Sequence, residues 1–283
     1  NNNQQQTIKR YASIDFVKGL CILLVIITHY AWQDAERLKL LFPFWIDMAV
    51  PIFMIISGFV YTKSFQKNKI DTIDKAYTID IMMGKAIRYS IPFIAVFLLE
   101  LILFIASGKI QSNILGTFFS FLCGGYGPGS YYYPVMMQFI IFFPIIYAII
   151  HKYDFKGLII CGGINFLYEI LKSAYGMPEG CYRLLVFRYT LLIAYGCYIA
   201  TDNYKRHNIL SLICVFLGII YIIACNYFSV VPPITNYWTS TSFWACLFII
   251  PFSKSIILNK CSNRFIETLG RASYHIFLVQ MVY

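Results

Sequence analysis

A cation and an imidazole stand eleven positions apart in one apolar run: Lys18 and His29, within Phe16–Trp32. Ionisable side chains in a membrane-length segment are costly, and they mark functional sites unless a neighbouring helix satisfies them. On a helix rising about 1.5 Å per residue, the two lie about 16 Å apart along the axis and, three turns apart, on the same side. Such a stripe has a fixed positive charge at one end and, at the other, a group that exchanges protons near neutral pH. An unperturbed imidazole titrates at about 6.5, which suits a general base. Asp15, three residues before Lys18, is spaced to pair with it. That pair also fits an interfacial ion pair whose lysine snorkels to headgroup level. For His29 the bland alternative is a hydrogen-bonded histidine packed between helices.

Other ionisable residues gather toward the opposite end of the helices from Lys18: Asp47, Glu169, Arg183 and Arg188. Inside a bundle such groups line a wet cavity or pair with one another, and a Glu169–Arg188 salt bridge fits equally well. Glu100 reads as interfacial, His275 as lying low on the last helix, and His151 and His207 as solvated loop residues. Most of the nine cysteines fall in apolar segments, without Cys-x-x-Cys spacing or a histidine cluster. No disulfide framework, zinc site or other metal is expected.

The elements that carry these residues must be membrane helices. Apolar residues make up 59% of the 283 positions and charged ones 13%, too few to solvate the surface of a soluble fold. Phe, Tyr and Trp reach 18%, an abundance suited to interfacial belts. The net charge of +10 is explained by Lys and Arg kept on cytoplasmic loops near anionic headgroups, without a nucleic-acid partner. A span needs about 20 apolar residues, which places helices near 14–32, 43–62, 89–106, 132–150, 157–171, 184–200, 208–227, 238–253 and 268–283. Ile114 to Cys123 is short and runs into a glycine-rich stretch, Gly124 to Gly129, so segment 114–130 reads as re-entrant or interfacial.

Charge placement supports that reading. With Lys9 and Arg10 inside and 114–123 not crossing, the inner loops hold Lys63, Lys67, Lys69, Lys75, Lys85, Lys152, Lys156, Lys205, Arg206, Lys254, Lys260 and Arg264. The outer loops are then poor in Lys and Arg, and 228–237 has neither. The expectation is an all-α polytopic bundle of nine spans with a cytoplasmic N-terminus. The chain stops in an apolar helix at Tyr283, leaving room for a tenth. Residues 1–13 form a polar segment, with no cleavage site to make the first apolar run a signal peptide. Residues 14–283 form a single membrane domain, in which 63–88 contains an inner amphipathic helix with Ile70, Ile73, Ala76, Tyr77 and Ile81 at helical spacing.

Several motifs resemble the membrane acyltransferase family 3, bacterial O-acyltransferases of surface polysaccharides and related acceptors. Ile14-Asp15-Phe16-Val17-Lys18-Gly19, followed by His29, resembles the family's first helix. Val50-Pro51-Ile52-Phe53-Met54-Ile55-Ile56-Ser57-Gly58-Phe59 is similar to its phenylalanine-rich Ser-Gly-Phe signature. Lys85 to Pro92, Tyr131-Tyr132-Tyr133-Pro134 through Gln138 to Pro144, and Leu269 to Leu278 resemble the basic approach to the third helix, a middle helix and the closing motif. The likeness spans nearly the whole chain. It departs at Lys18, where the family usually has Arg, at Gln280, where it often has His, and at Met136 and Met137, where some members carry a Glu pair.

The resemblance implies transfer of an acyl group, acetyl first among them, from a cytoplasmic acyl-CoA to a hydroxyl on an extracytoplasmic or lipid-linked glycan. It implies a multi-pass protein of a bacterial-type cytoplasmic membrane. His29 is then the catalytic candidate, as general base or as acyl-histidine, and the residues leave both routes open. Lys18, Lys85 and Arg88 are candidates for the CoA phosphates, although each also satisfies the positive-inside pattern. Asp47, Glu169, Arg183 and Arg188 fall on the acceptor side, and Asp15, Ser57, Gly58 and Tyr133 hold or orient the site. A transporter or flippase for a polysaccharide precursor or small molecule is the main rival, since polar residues in a bundle also mark substrate paths. A sensor that binds without turnover is a third reading.

Overall fold

The computed structural model describes residues 12–108, 113–127, 129–205, 207–230 and 242–282, and among these the chain is helical with no strand. Lys9, Arg10, Pro128, Arg206, most of the 228–237 loop and Tyr283, all used above, lie outside the described residues, as does most of the polar segment 1–13. Five stretches among the described residues are long and apolar enough to cross a membrane: Phe42–Lys67, Ile79–Ala106, Tyr132–Tyr153, Phe155–Ala174 and Asn208–Tyr227. Ile91, Ile102 and Ile220 are bare on their outer faces, an apolar surface that lipid suits and water does not.

The first helix, α1 (Ala12–Thr28), stops short of the expected Trp32. The Trp32 indole folds back and donates to the Ile27 carbonyl at 2.7 Å, satisfying one of the acceptors that a helix end leaves open. The short α2 (Asp34–Lys39) follows, then α3 (Ala49–Lys67). The amphipathic helix expected across 70–81 does not form. Instead α4 is one turn (Ile73–Ala76), capped by the Thr72 hydroxyl, and α5 (Ile79–Ala106) begins ten residues before the expected Tyr89. Asp80 in its first turn complements the helix dipole there. The apolar residues of that pattern are split, with Ile70 and Ala76 buried while Ile73 and Tyr77 face outward.

Next come α6 (Ile114–Leu122), nine residues and too short to cross, then α7 (Tyr132–Tyr153) and α8 (Phe155–Ala174). The segment expected at 184–200 is divided. It comprises the end of α9 (Glu179–Leu184), a 3-10 turn at Val186–Tyr189, and α10 (Thr190–Ile199). After α11 (Asn208–Tyr227), the segment expected at 238–253 breaks at a 3-10 turn holding Pro251 into α12 (Phe243–Cys246) and α13 (Ser253–Ile257). The closing segment is α14 (Arg264–Arg271) and α15 (Ser273–Val279), ending in a turn at Gln280–Val282.

Two glycine crossings lock this bundle. A methyl group at Gly58 of α3 would lie 2.1 Å from the Ile193 carbonyl oxygen of α10, and one at Gly196 would lie 2.0 Å from the Ile55 oxygen. The same reciprocal fit joins α1 to α14, where methyls at Gly19 and Gly270 would meet the Ile266 and Asp15 carbonyl oxygens at 2.0 and 1.7 Å. Backbones approach this closely only where side chains are absent. Nearly all of α10 is buried, and around it α3, α7 and α8 form the core.

Candidate active site

Three cavities follow one another beside α1. The first, of about 410 Å³, includes His29, Arg37, Asp47, Tyr131, Arg183 and Arg188 in its wall. The second, of about 400 Å³, includes Asp15, Lys18, Arg88, Tyr89, Arg271 and His275. Val25, Val50 and Phe277 line both, so the two cavities adjoin at these three apolar side chains. A third, of about 260 Å³, shares Lys18, Ser57, Arg88 and Tyr89 with the second and adds Lys85. On α1 the wall residues are Asp15, Lys18, Ile22, Val25 and Thr28, with His29 just past its end. Their spacing of three or four is one helical face.

His29 is exposed at its cavity rather than enclosed in hydrocarbon, because α1 ends one residue earlier. Gln280 faces its ring, and Arg37 is the nearby positive charge. Neither amide atom of Gln280 has a hydrogen-bond partner of conventional geometry, although both are buried. Gly129 brings the glycine-rich loop against this site. A side chain there would strike Phe277 at 2.9 Å and approach the His29 ring at 3.8 Å, and its φ of +80° also favours glycine.

The loop is held from behind by Glu100. Glu100 is fully buried, and its carboxylate accepts the Tyr126 N–H at 3.1 Å with the Gly127 N–H also facing it. A methyl at Gly125 would sit 2.7 Å from its other oxygen. The opposite wall depends on Gln138 of α7. Its amide donates to the Leu184 carbonyl at 2.7 Å and accepts the Val186 N–H at 3.1 Å, fixing the link that carries Arg183 on one side and Arg188 on the other. Buried Arg188 lies over the Tyr182 and Tyr189 rings at 4.7 and 4.8 Å. Arg37 of α2 reaches across to Asp47 at 3.0 Å.

Glu169 is the expected acceptor-side residue that does not reach the cavity wall. It is fully buried, accepting from the Tyr182 hydroxyl and from the Phe243 N–H at 3.2 Å, and so ties α9 and α12 to α8. At the other end, Lys85 lies over Tyr61 and Phe65, 4.1 and 4.3 Å from their ring centres. Tyr274 donates to the Tyr89 carbonyl at 2.8 Å, joining α15 to α5 across the Lys18 cavity. Ser57 lines that cavity and donates to the Phe53 carbonyl at 2.8 Å. Tyr133 stays in the helix packing, stacked on Phe93 at 3.7 Å and hydrogen-bonded to Ser90 at 3.0 Å, while Tyr131 and Tyr132 face the cavities.

Sequence reasoning passes over Arg37, Gly129, Tyr131 and Arg271 as site residues. Tyr131 and Arg271 had a signal in the middle-helix and closing motifs; Arg37 and Gly129 lie in short polar or glycine-rich segments with no periodicity. The arrangement holds an imidazole in one cavity and, in the two cavities beyond the three shared apolar side chains, four basic side chains, Lys18, Lys85, Arg88 and Arg271. No metal-holding group of His, Cys, Asp and Glu occurs among the described residues. No curated protein and no solved structure matches the chain. A family model described as an acyltransferase domain, that of acyltransferase family 3, matches residues 11–283, nearly the full length, and the chain belongs to that family.

Proposed function

We propose that this acyltransferase works in the membrane, moving an acyl group, acetyl in the first instance, from cytoplasmic acyl-CoA to a hydroxyl of an extracytoplasmic or lipid-linked glycan. The observation that supports this reading is the meeting of the Lys18 and His29 cavities at Val25, Val50 and Phe277. A donor with a phosphate-rich head and a thin arm fits such a shape. The head is held by Lys18, Arg88, Arg271 and Lys85 through charge-assisted hydrogen bonds, and the arm carries its thioester past Val25, Val50 and Phe277 to the His29 cavity. With Lys63 to Lys85 on the cytoplasmic side, the Lys18 cavity faces the donor and the His29 cavity the acceptor.

In the transfer step the acceptor O–H gives its proton to an imidazole nitrogen of His29 as its oxygen attacks the thioester carbonyl. The C–O bond forms, the C–S bond breaks, and the departing thiolate takes the proton back from the imidazolium. Gln280 and the Gly129 loop orient the ring. Positioned general bases contribute about 10²- to 10⁴-fold. His29→Ala in lipid nanodiscs should lower transfer from radiolabelled acetyl-CoA to that extent, and because His29 is exposed the fold should be kept. Equal transfer by both proteins would remove His29 from the chemistry. Mass spectrometry of envelope glycans with and without the protein identifies the acetylated position. A burst of CoA release without acceptor would replace the general base by an acyl-histidine.

A further inference from the structure

Resting on that reading, we propose that Gln280 is a positioning residue whose amide oxygen takes the His29 ring N–H that faces it, and takes it most strongly once the ring holds the acceptor's proton. The Gln280 side chain faces that ring. Its Oε1 and Nε2 are both buried, and neither has a hydrogen-bond partner of conventional geometry among the described residues. A buried amide left in that state destabilises the fold, and such groups persist where a reaction uses them. The turn that carries the amide is clamped. Within Gln280–Val282, Met281 is buried, and a methyl at Gly127 would lie 2.0 Å from the Met281 carbonyl oxygen, one at Gly125 3.0 Å from the Met281 Cε. Those glycines belong to the loop that Glu100 holds through the Tyr126 N–H at 3.1 Å.

Electrostatics give the amide its task. Proton transfer from the acceptor hydroxyl turns the neutral ring into a cation. The charged groups of the cavity wall are Arg37, Asp47, Arg183 and Arg188. Arg37, the nearby charge, has the same sign as that cation. Asp47, the carboxylate of the wall, is engaged by Arg37 at 3.0 Å, and Arg183 pairs with Glu179 at 2.7 Å. Gln280 supplies a neutral acceptor oxygen instead. A hydrogen bond from a charged ring is about twice as strong as one from a neutral ring. The contact therefore strengthens as the proton arrives, and an interaction stronger in the transition state than in the ground state raises kcat without changing KM. The acceptor's proton binds the ring nitrogen facing the cavity, the other nitrogen keeps its own proton against Oε1, and the first proton leaves with the thiolate.

The test is a titration of His29 by ¹⁵N NMR of the full chain in nanodiscs, its signal assigned by its loss in His29→Ala. Gln280→Met matches glutamine in length and lacks the amide oxygen. It should make the ring lose its proton about one pH unit lower, a hold about tenfold weaker. Gln280→Glu keeps an acceptor oxygen, adds a charge, and should move the titration the other way. In Gln280→Met, kcat for transfer from radiolabelled acetyl-CoA to extracted envelope glycan should fall about tenfold with both KM values unchanged. A residue that only packs the turn would change the unfolding temperature and leave the titration where it is. An unmoved titration in both variants overturns the proposal, as does a shift of the same sign in both. Opposite shifts in a protein that transfers no acetyl group support the Gln280–His29 pairing and sink the acyl-transfer reading alone.

Discussion

The Lys18 cavity and the His29 cavity share three apolar lining residues, yet they are built by different means. Around Lys18 the charged side chains stand on helices, and α1 and α14 are locked there by the Gly19–Gly270 crossing. Around His29 they stand on short pieces: Arg37 on α2, Arg183 on α9, Arg188 on a 3-10 turn, Gly129 and Tyr131 on a loop. Those pieces are pinned by side chains reaching from elsewhere, namely Asp47, Gln138 and Glu100. The first cavity inherits its geometry from backbone packing, and the second assembles it from single polar contacts. On the proposed function, a site that meets one constant donor gains from the former, and a site fitted to a particular acceptor is more easily retuned through the latter.

Breaking the crossing should therefore have the largest effect. In Gly270→Ala the new methyl falls 1.7 Å from the Asp15 carbonyl oxygen and 2.9 Å from the Gly19 nitrogen, so α1 and α14 must separate. Overpacking of this kind costs about 3 kcal/mol or more when backbone is the obstacle, and thermal unfolding in nanodiscs should report it. Gly84→Ala is the control on the neighbouring wall. Nothing lies within 4 Å of its new methyl, and α5 gains up to about 1 kcal/mol of helix propensity. Similar losses at both glycines would deny that the crossing frames the site.

Removing a pin from the other cavity should cost less and act more locally. Glu100→Ala strips the Tyr126 N–H of its acceptor in a buried setting, a loss of about 1 to 3 kcal/mol. Glu100→Gln keeps an acceptor oxygen and should recover most of it. In Glu100→Ala the displaced Gly129 loop should raise the acceptor KM while the donor KM stays, whereas equal change in both would show that the two cavities are not built separately.

The same contrast explains what was legible in the chain. Asp15, Lys18 and His29 follow one helical face, and the resemblance marked Ser57 beside them, so the α1 wall is readable from spacing and the α3 wall only from the resemblance. Arg37 belongs to a six-residue helix with no buried residue, which carries no periodic signal and looks like any solvated loop. Its role depends on Asp47, ten positions away across an irregular turn. The part Glu100 plays in holding the loop was not legible for a related reason: its partners are backbone groups of a loop 26 residues further on, and a glycine-rich loop declares a bend without saying what it will bond. The 70–81 pattern had the right period, but two of its apolar residues found burial near α3 and α7 while α5 extended through the rest.

Smaller effects sharpen the comparison at the Lys18 end. Lys85 lies over Tyr61 and Phe65 on the wall of the third cavity, an arrangement worth about 0.5 to 2 kcal/mol. Lys85→Gln should raise the donor KM severalfold and leave acceptor affinity unchanged. A few residues away, outside the membrane segments, Lys75 and Asp71 form an ion pair at 2.7 Å with both side chains exposed. The Lys75 hydrogen bond lowers the Asp71 pKa below its ordinary value. A depressed carboxyl pKa stabilises the fold above the unfolded pKa and loses that contribution as pH falls through the folded one. Solvent screens a pair so exposed. Asp71→Asn should then leave the unfolding temperature unchanged at neutral pH and at acid pH alike. A measurable drop at neutral pH that vanishes in acid would mean that the α4 turn is pinned by one polar contact, as the walls around His29 are, and that this manner of construction is not confined to one end of the molecule.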